Sequence, residues 1–422
     1  MKSLEAVCAT SREVARKQVL FDEGTGLIEK IGDLGVSRDN LDYYYGDECL
    51  LFAGMGDIHI HAREDVSGKN NYKEDFDTTY SAMVNGGVTH AGDMPNNPVP
   101  PVDDQSYEEK FNLALRKHGD LWIYAGIGPS TRPLSYPVPY KVYMGPSIGE
   151  LFFKDLKSLE AVLVHYQGQD VSFHCEDPVI LEDNKGKAHH HERRPAEAEV
   201  VATRDALYLI EKYNLNGKLC HYSTGEGLRL ITEARKRGVK VKLEVTPQHL
   251  YFDLDHLESS DYLAFQMNPP IRKSGDREAL FDALKTGQIE YLATDHAPHT
   301  HEEKQKGTSG LTGLDTFGPF VTWLVKEGVD PRTVALIASE NPGSFYNKFL
   351  PSWKKLSAAF EKKGRGLGFL EPGFCANFTV LNLHKPLEVT PQKLKTKVGH
   401  SPFLGQTLPG QVEALFIRGR RV

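Results

Sequence analysis

The chain has 422 residues, which is enough for one large domain and a smaller one. Its 50 basic and 57 acidic residues give a formal net charge of -7, without a long block of like charge, so a nucleic-acid footprint is excluded. Five scattered cysteines argue against a disulfide framework, and neither a leader sequence nor an apolar run of membrane-spanning length is evident. We expect a cytoplasmic protein that binds neither nucleic acid nor membrane.

Both ends of the chain carry short β-like segments. Residues 1–52 include VARKQVLFD and GLIEKIG, and residues 366–422 include CANFTVLNL and VEALFIRGRRV. Each end alone would leave unpaired strand edges. We therefore predict that the two termini pair into one small composite β domain.

Residues 53–365 alternate strand-like and helix-like stretches. Helical spacing is clear in YKEDFDTTYSAMVNGG, where two glycines follow the last apolar turn. Eight βα units favour a closed (β/α)8 barrel of the TIM type over an open doubly wound sheet, because polar residues cluster at the carboxyl ends of the strands and no glycine-rich phosphate loop follows the first strand. The predicted strands are MGDIHIH, VTHAGDM, LWIYAGIG, YKVYMG, DVSFHCE, GKLCHYS, VKVKLEV and EYLATDH.

Potential metal ligands recur at these strand ends. His59 and His61 stand two apart on the first barrel strand, which places both imidazoles on one face. His174, His221 and Asp295 end the fifth, sixth and eighth predicted strands. Each histidine alone is more often a core residue, but their common position predicts a metal site at the carboxyl end of the barrel.

Lys141 lies on the fourth predicted strand, among apolar and aromatic neighbours. An ammonium group has no lone pair with which to bind a metal, and a buried lysine is costly unless it is paired or modified. A salt bridge is the ordinary explanation. The alternative is that Lys141 reacts with carbon dioxide and becomes a carbamate, an anionic ligand able to bridge two metal ions. Six ligands exceed what one tetrahedral ion requires, so we favour two ions.

Nine segments, in order, resemble the motifs of the dihydroorotases, within the cyclic amidohydrolases. The resemblance extends from about Leu51 to Phe345, and the terminal segments fit the composite β domain of that superfamily. The matching segments are HIHAR, KEDF, GGVTHAGDMPNNPVPP, YKVYMG, FHCED, CHYST, EVTPQHLYF, MNPPIR and ATDHAPHTHEEK.

The resemblance implies two zinc ions. His59, His61 and Asp295 would hold one, His174 and His221 the other, and carboxylated Lys141 would bridge them. It also implies that Asp295 is the catalytic base and acid.

The resemblance further implies a pocket for a small anionic cyclic amide. Arg63, Asn96 and His299 would bind a substrate carboxylate, and Asn268 would face the substrate ring. A guanidinium, an amide and an imidazole suit a carboxylate chemically.

The expected activity is therefore the reversible interconversion of dihydroorotate and N-carbamoyl-aspartate in pyrimidine biosynthesis, by an enzyme that we expect to be a homo-oligomer, a dimer or a tetramer. Allantoinase and hydantoinase or dihydropyrimidinase are alternatives, because they use the same ligands on other cyclic amides. A catalytically silent scaffold is a further alternative, although such relatives usually lose ligands and all six are present here.

Three segments depart from the family pattern. EDVSGKNNY after Arg63 is longer than usual, which leaves the shape of that loop open. The stretch His189–His191 is expected to form a loop and the start of a helix at the barrel rim rather than a further metal cluster. PSWKKLSAAFEKKG, at 351–364, looks inserted and is predicted to form a solvated amphipathic helix.

Overall fold

The structure of the chain is a computed structural model that describes residues 1–117, 120–146, 151–258 and 261–422. These residues form two compact units. The first comprises 1–58, 78–91 and 314–422, and the second comprises 59–77 and 92–313.

The strands alternate with helices through most of the chain. They are β1 (Lys2–Ala9), β2 (Val14–Asp22), β3 (Leu27–Gly32), β4 (Tyr43–Tyr44), β5 (Cys49–Ala53), β6 (Met55–Ile60), β7 (Val88–Asp93), β8 (Leu121–Ile123), β9 (Ala125–Ile127), β10 (Tyr140–Tyr143), β11 (Asp170–His174), β12 (Asn216–Leu219), β13 (Val241–Val245), β14 (Tyr291–Leu292), β15 (Phe378–Asn382), β16 (Leu387–Glu388), β17 (Thr407–Leu408), β18 (Gln411–Ile417) and β19 (Arg420–Arg421).

Most α-helices come between barrel strands in the sequence, and the last ones come after the final barrel strand. They are α1 (Phe76–Asn85), α2 (Asp104–Lys117), α3 (Leu156–Leu163), α4 (Pro178–Asn184), α5 (His190–Arg193), α6 (Ala196–Lys212), α7 (Gly225–Lys236), α8 (Pro247–Tyr251), α9 (Ser274–Lys285), α10 (His301–Gln305), α11 (Phe317–Lys326), α12 (Pro331–Ala335) and α13 (Asn341–Leu356).

The first unit contains a sheet built from both ends of the chain, in the order β19, β18, β15, β5, β1, β2, β3, with β4 beside β1. Strand β5 joins the two ends, because it pairs in parallel with β1 and antiparallel with β15. The predicted composite β domain is thereby confirmed. β5 reads CLLFA and is buried throughout, so it lacks the alternation by which a half-buried strand is recognised in a sequence.

An aromatic cluster forms the core of this sheet. The rings of Phe21, Phe378 and Phe416 lie with their centroids 5.4 to 6.1 Å apart in edge-to-face geometry, a favourable arrangement for aromatic pairs. Phe21 comes from the N-terminal segment and the other two from the C-terminal segment. The ring packing therefore joins the two ends of the chain, in addition to the strand pairing.

The barrel strands follow chain order, with β9 to β14 in one parallel run and β6 to β8 in a second run. Tyr124 interrupts the third predicted strand and separates β8 from β9. A parallel bridge between Ile60 and His296 joins the last strand to the first, with the His61 amide donating to the His296 carbonyl at 2.7 Å. The predicted barrel is confirmed, and each of the eight predicted strands is present.

Helix α1 and the His189–His191 stretch are two local elements that the sequence predicts. Helix α1 begins at Phe76, four residues after the predicted start, and ends before Gly86 and Gly87; Gly87 has a φ of +78°, a conformation that glycine adopts without a Cβ clash. His189 is the N-cap of α5, as a loop and helix start require.

The domain boundaries 1–52, 53–365 and 366–422 stay a prediction.

The segment at 351–364 is not a separate solvated helix, so this prediction is wrong. Its first six residues continue α13, and a 3-10 helix follows over Ala358–Lys363. Trp353 and Phe360 are almost completely buried, and their rings pack at 5.8 Å. The buried aromatic residues bind this segment to the core of the first unit.

Within the described parts of the chain, none of the helices has both the length and the apolar character that crossing a bilayer demands.

Removal of the Trp353 ring should destabilise the first unit. The ring is fully buried against Tyr346 and Phe349, so Trp353→Ala should lower the free energy of unfolding by roughly 3 to 5 kcal/mol. Urea unfolding followed by circular dichroism measures the change. The matched control is Lys355→Ala, at an exposed position two residues on, which should change it by less than about 0.5 kcal/mol. Similar effects of the two substitutions would contradict the packing described here.

Candidate active site

A cavity of about 320 Å³ opens at the carboxyl ends of the barrel strands, and all of its lining residues belong to the second unit. Most of the residues predicted to bind metal or substrate line it. The lining residues are His59, His61, Arg63, Asn96, Tyr143, Pro146, His174, His221, Asn268, Asp295, Ala297, Thr308, Ser309 and Gly310. Two predicted residues, Lys141 and His299, are buried but do not line the cavity.

The first group of possible metal donors consists of His59, His61 and Asp295. The Nε2 atoms of the two histidines lie 3.3 and 3.0 Å from Oδ1 of Asp295. The three side chains offer ligand atoms that all lie within 4.8 Å of one another. The imidazoles therefore converge on one carboxylate oxygen, as the strand alternation predicts.

Hydrogen bonds from Nδ1 of each ring determine which nitrogen carries the lone pair. Nδ1 of His59 donates to Oε1 of Glu244 at 2.6 Å, and Nδ1 of His61 donates to Oδ1 of Asn96 at 2.6 Å. The lone pair of each neutral ring is then on Nε2, the atom that faces Asp295. This combination of a donor to the protein and a lone pair toward the site is characteristic of metal-binding histidines.

His174 and His221 form the second group. Nδ1 of His174 lies 2.9 Å from Nε2 of His221, and Nε2 of His174 donates to Oε2 of Glu176 at 2.8 Å. Nδ1 of His174 therefore presents a lone pair toward His221. The rings of His221 and His59 are 5.2 Å apart, so the two groups are neighbours.

At neutral pH the candidate ligands are in the protonation state that can bind a metal ion. Burial lowers the pKa of His59 to about 4, and it lowers the pKa of His61, His174 and His221 below the ordinary value as well. Burial alone would raise the pKa of Asp295, but the positive charge that surrounds it outweighs burial and the net shift is downward. At neutral pH the site thus offers neutral imidazoles and a carboxylate.

Lys141, on strand β10, is near enough to both groups for its charge to act on members of each. It is fully buried, and its Nζ atom has no hydrogen-bond partner among the described residues. Its positive charge adds to burial in lowering the pKa of His59 and His221, which belong to different groups. Nζ lies 5.2 Å from the centre of the Tyr143 ring, but a buried ammonium without a counterion is unfavourable.

The donor set fits a centre of divalent metal ions. Imidazole nitrogens and a carboxylate oxygen are ligands that zinc and related ions accept, and the buried Lys141 amine beside them has no hydrogen-bond partner among the described residues. A third combination, His59 with Cys220 and Glu244, is also within 4.8 Å. It fits less well, because Glu244 is paired with Lys218 and burial raises the pKa of the Cys220 thiol.

Arg63 supplies positive charge at the other side of the cavity. It is buried, its Nε atom donates to the Pro298 carbonyl at 3.2 Å, and its Nη2 atom donates to Nε2 of His299 at 3.1 Å. Burial lowers its pKa from the ordinary value. No carboxylate of the described residues forms an ion pair with it.

The hydrogen bond from Arg63 determines which ring nitrogen of His299 carries the proton. Because guanidinium only donates, Nε2 of His299 must accept and Nδ1 carries the proton, which faces Oε2 of Glu303 at 3.2 Å. The Lys73 ammonium lies 3.4 Å from the same Nδ1 and donates instead to Oε1 of Glu303, at 2.8 Å. Burial and the Arg63 charge lower the pKa of His299 to about 2, which keeps the ring neutral. His299 therefore lies behind Arg63 and orients it.

The backbone is strained at three of these positions. Arg63, His221 and Asp295 have φ values of 65°, 35° and 48°, in the left-handed region that non-glycine residues rarely adopt. Each follows the end of a barrel strand within three residues. The turn directs the side chain into the cavity.

Several site residues were not identified from the sequence. The Tyr143 hydroxyl is buried beside the cavity without a hydrogen-bond partner among the described residues. Glu244 falls at a charged, alternate position of the predicted strand VKVKLEV, so the sequence gives no signal that separates it from a solvent-facing residue. Nζ of Lys304 donates to the carbonyls of Gln266, Thr308 and Gly310 at 2.8 to 3.1 Å, and so holds the cavity-lining loop.

No family model matches the chain. A dihydroorotase of Shouchella clausii (strain KSM-K16) is 30% identical to it over 441 residues, which cover 97% of this chain and 94% of that protein. The chain belongs to the dihydroorotase family, within the cyclic amidohydrolases. The dihydroorotase of Pyrococcus furiosus is 28% identical over 418 residues, which cover 95% of this chain and 91% of that protein.

Among solved structures, an L-hydantoinase (dihydropyrimidinase) from Arthrobacter aurescens is similar with a TM-score of 0.86. It is 21% identical, and the likeness covers 100% of this chain and 95% of that one. A D-hydantoinase gives a TM-score of 0.82, also at 21% identity. At this identity the structures share a fold with the dihydroorotase-family chain. Membership of the family makes the chain a hydrolase of cyclic amides.

Proposed function

We propose that the enzyme is a dihydroorotase that interconverts dihydroorotate and N-carbamoyl-aspartate in pyrimidine biosynthesis. The observation that carries the proposal is the buried Arg63 guanidinium, which borders the cavity and has no carboxylate partner among the described residues. Dihydroorotate brings a carboxylate that would neutralise it. Hydantoin and allantoin have no carboxylate, so a site for them gives no reason to bury this cation.

The proposed carboxylate pocket contains two further residues. Asn96 lines the cavity, and because its Oδ1 accepts from His61, its Nδ2 donor is left for the substrate. His299 belongs to the same group through its hydrogen bond from Arg63. Asn268, on another part of the cavity wall, is proposed to contact the substrate ring.

Two divalent metal ions, which we propose to be zinc, complete the site. His59, His61 and Asp295 would hold one, and His174 and His221 would hold the other. For Lys141 to bridge them, its ammonium group would lose a proton to solvent, and the neutral Nζ would then add to carbon dioxide and release a second proton, which yields an anionic carbamate. The reaction removes the unpartnered buried charge and adds two oxygen ligands.

Bound metals supply Lewis-acid polarisation of the amide carbonyl and acidify water. The chain's own residues orient the substrate and transfer the proton. Arg63 and Asn96 orient the substrate by its carboxylate. Asp295, ionised beside two imidazoles, accepts a proton from the attacking water as the new carbon–oxygen bond forms, and donates it to the ring nitrogen as the carbon–nitrogen bond breaks. Association into a dimer or tetramer remains a prediction.

The proposed activity is tested by assaying the purified protein with dihydroorotate, allantoin and hydantoin side by side, together with metal analysis. We expect turnover of dihydroorotate and about two metal ions per chain, the number that two donor groups imply. Activity on allantoin or hydantoin without activity on dihydroorotate would overturn the proposal.

Substitution Asp295→Asn should leave substrate binding largely intact and remove turnover. The amide occupies the same space but cannot accept the proton, so kcat should fall below about a tenth of the wild-type value, a loss of more than roughly 1.4 kcal/mol of barrier stabilisation. Steady-state kinetics with metal analysis measure both quantities. A variant with normal metal content that keeps more than a tenth of the rate would assign the proton transfer to another group.

Substitution Lys141→Ala should weaken or empty the metal site and abolish activity, because the carbamate oxygens are lost. A small carboxylic acid such as propionate should restore part of both, since it can occupy the space with two oxygens. Metal content by mass spectrometry and activity with increasing carboxylate are the measurements. If the variant retains two tightly bound metals and normal turnover, Lys141 does not bridge them.

Substitution Arg63→Met should reduce kcat/KM for dihydroorotate by roughly ten-fold to a few hundred-fold, because charge-assisted hydrogen bonds contribute about 1.5 to 3 kcal/mol each. Hydrolysis of dihydrouracil, which has the same ring without the carboxylate, should change little. The control substitution is Arg132→Met, at an exposed position, which should affect neither substrate. Equal losses on both substrates would show that Arg63 supports the site's structure rather than the carboxylate.

A further inference from the structure

The middle residue of the His189–His191 stretch reaches the wall of the cavity. Nε2 of His190 lies 2.9 Å from the Met267 carbonyl oxygen and 3.0 Å from Oδ1 of Asn268. It also lies 3.4 Å from Oγ of Ser309. Asn268 and Ser309 both line the cavity, so one imidazole connects two parts of its wall.

The Met267 contact determines the state of the His190 ring. A backbone carbonyl oxygen can only accept, so Nε2 must carry the hydrogen. Burial lowers the pKa of His190 to about 4, which agrees with a neutral ring that has a single proton. His190 is therefore a hydrogen-bond donor toward Met267 and Asn268.

This donor in turn determines the orientation of the Asn268 amide. The Nε2–H group of His190 faces the amide, so the oxygen Oδ1 must point toward it, because an NH2 group there would place two donors against each other. Nδ2 of Asn268 then points away from His190. None of the described residues accepts a hydrogen bond from Nδ2, although Asn268 lies on the cavity wall.

We infer that His190 is a positioning residue that fixes the Asn268 amide so that its Nδ2 donates to a carbonyl oxygen of the bound cyclic amide. The inference deepens the proposed function, but it depends only on hydrolysis of a cyclic amide and not on dihydroorotate being the substrate. It gives the His189–His191 stretch a role in substrate recognition.

Loss of the imidazole donor should do more than loosen Asn268. The Met267 carbonyl would lose its donor, and the Asn268 amide could rotate to supply one from Nδ2. Its oxygen would then face the cavity. A substrate carbonyl would meet an acceptor instead of a donor, so one hydrogen bond would be replaced by repulsion between two oxygens.

The adjacent histidines provide a matched control. The rings of His189 and His191 are stacked at 5.5 Å, and each contacts the Tyr262 ring edge to face at 5.5 and 5.3 Å. Neither lines the cavity. A substitution at His191 therefore changes the same helix without touching the Asn268 contact.

The test is a double-mutant cycle with His190→Phe, Asn268→Ala and the double variant, accompanied by His190→Gln and His191→Phe. Each is assayed on whichever of dihydroorotate, hydantoin and allantoin the wild type hydrolyses fastest, so a failure of the dihydroorotate proposal leaves this test in place. Thermal melting and metal content verify that each variant is folded and loaded.

We expect His190→Phe to lower kcat/KM about ten-fold or more, mainly through KM, as loss of a buried hydrogen bond with an unsatisfied partner requires. Asn268→Ala should have a similar effect, and the double variant should lose no more than Asn268→Ala alone, because His190 acts through that residue. His190→Gln, whose Nε2 has a comparable reach, should retain most of the activity. His191→Phe should be unchanged.

Additive losses in the double variant would overturn the inference, because His190 would then act independently of Asn268. Wild-type kinetics in His190→Phe, or in Asn268→Ala, would overturn it as well. Equal losses in the Gln and Phe variants would show that the ring's shape, and not its donor, is what matters.

Discussion

The buried carboxylate of Glu244 is hydrogen-bonded to one residue from each of the two groups of metal donors. Glu244, on strand β13, accepts a hydrogen bond from Nδ1 of His59 and another from the backbone amide of His221, and it is paired with the Lys218 ammonium. His59 and His221 belong to different donor groups. The lysine charge compensates the carboxylate that both groups require, and it keeps the pKa of Glu244 below its ordinary value in spite of complete burial. Glu244 therefore orients the His59 ring directly and anchors the backbone from which the His221 ring extends.

The remaining charges of the site are not compensated within the described protein. Nζ of Lys141 and the Arg63 guanidinium are both buried, and neither has a carboxylate partner among those residues. A buried cation without a counterion is normally excluded from a protein interior, because desolvation is costly. The two cations therefore support both parts of the proposal. Lys141 would be converted to an anionic carbamate at the metals, and Arg63 would bind an anionic group of the substrate.

Much of this arrangement could be predicted from the sequence, because it depends on local period and on topology. The two-residue spacing of His59 and His61 fixes their common face, and parallel strands bring their carboxyl ends together whatever the intervening helices contain. The residues that support the ligands could not be predicted in this way. Glu244 reads as a charged position on a strand, and the His190 contact joins segments 78 residues apart. Amphipathic periodicity predicts a solvated helix around Trp353, because the pattern does not show whether an apolar face packs against another part of the chain.

The left-handed backbone at Arg63, His221 and Asp295 has a consequence for how such a chain can evolve. A non-glycine residue in this conformation costs about 1 to 3 kcal/mol, and glycine would relieve most of it. At each of these positions glycine would also delete the side chain that faces the cavity. Selection for heat resistance and selection for turnover therefore oppose each other at the same three positions, so a thermostable descendant has to find its gains elsewhere in the chain.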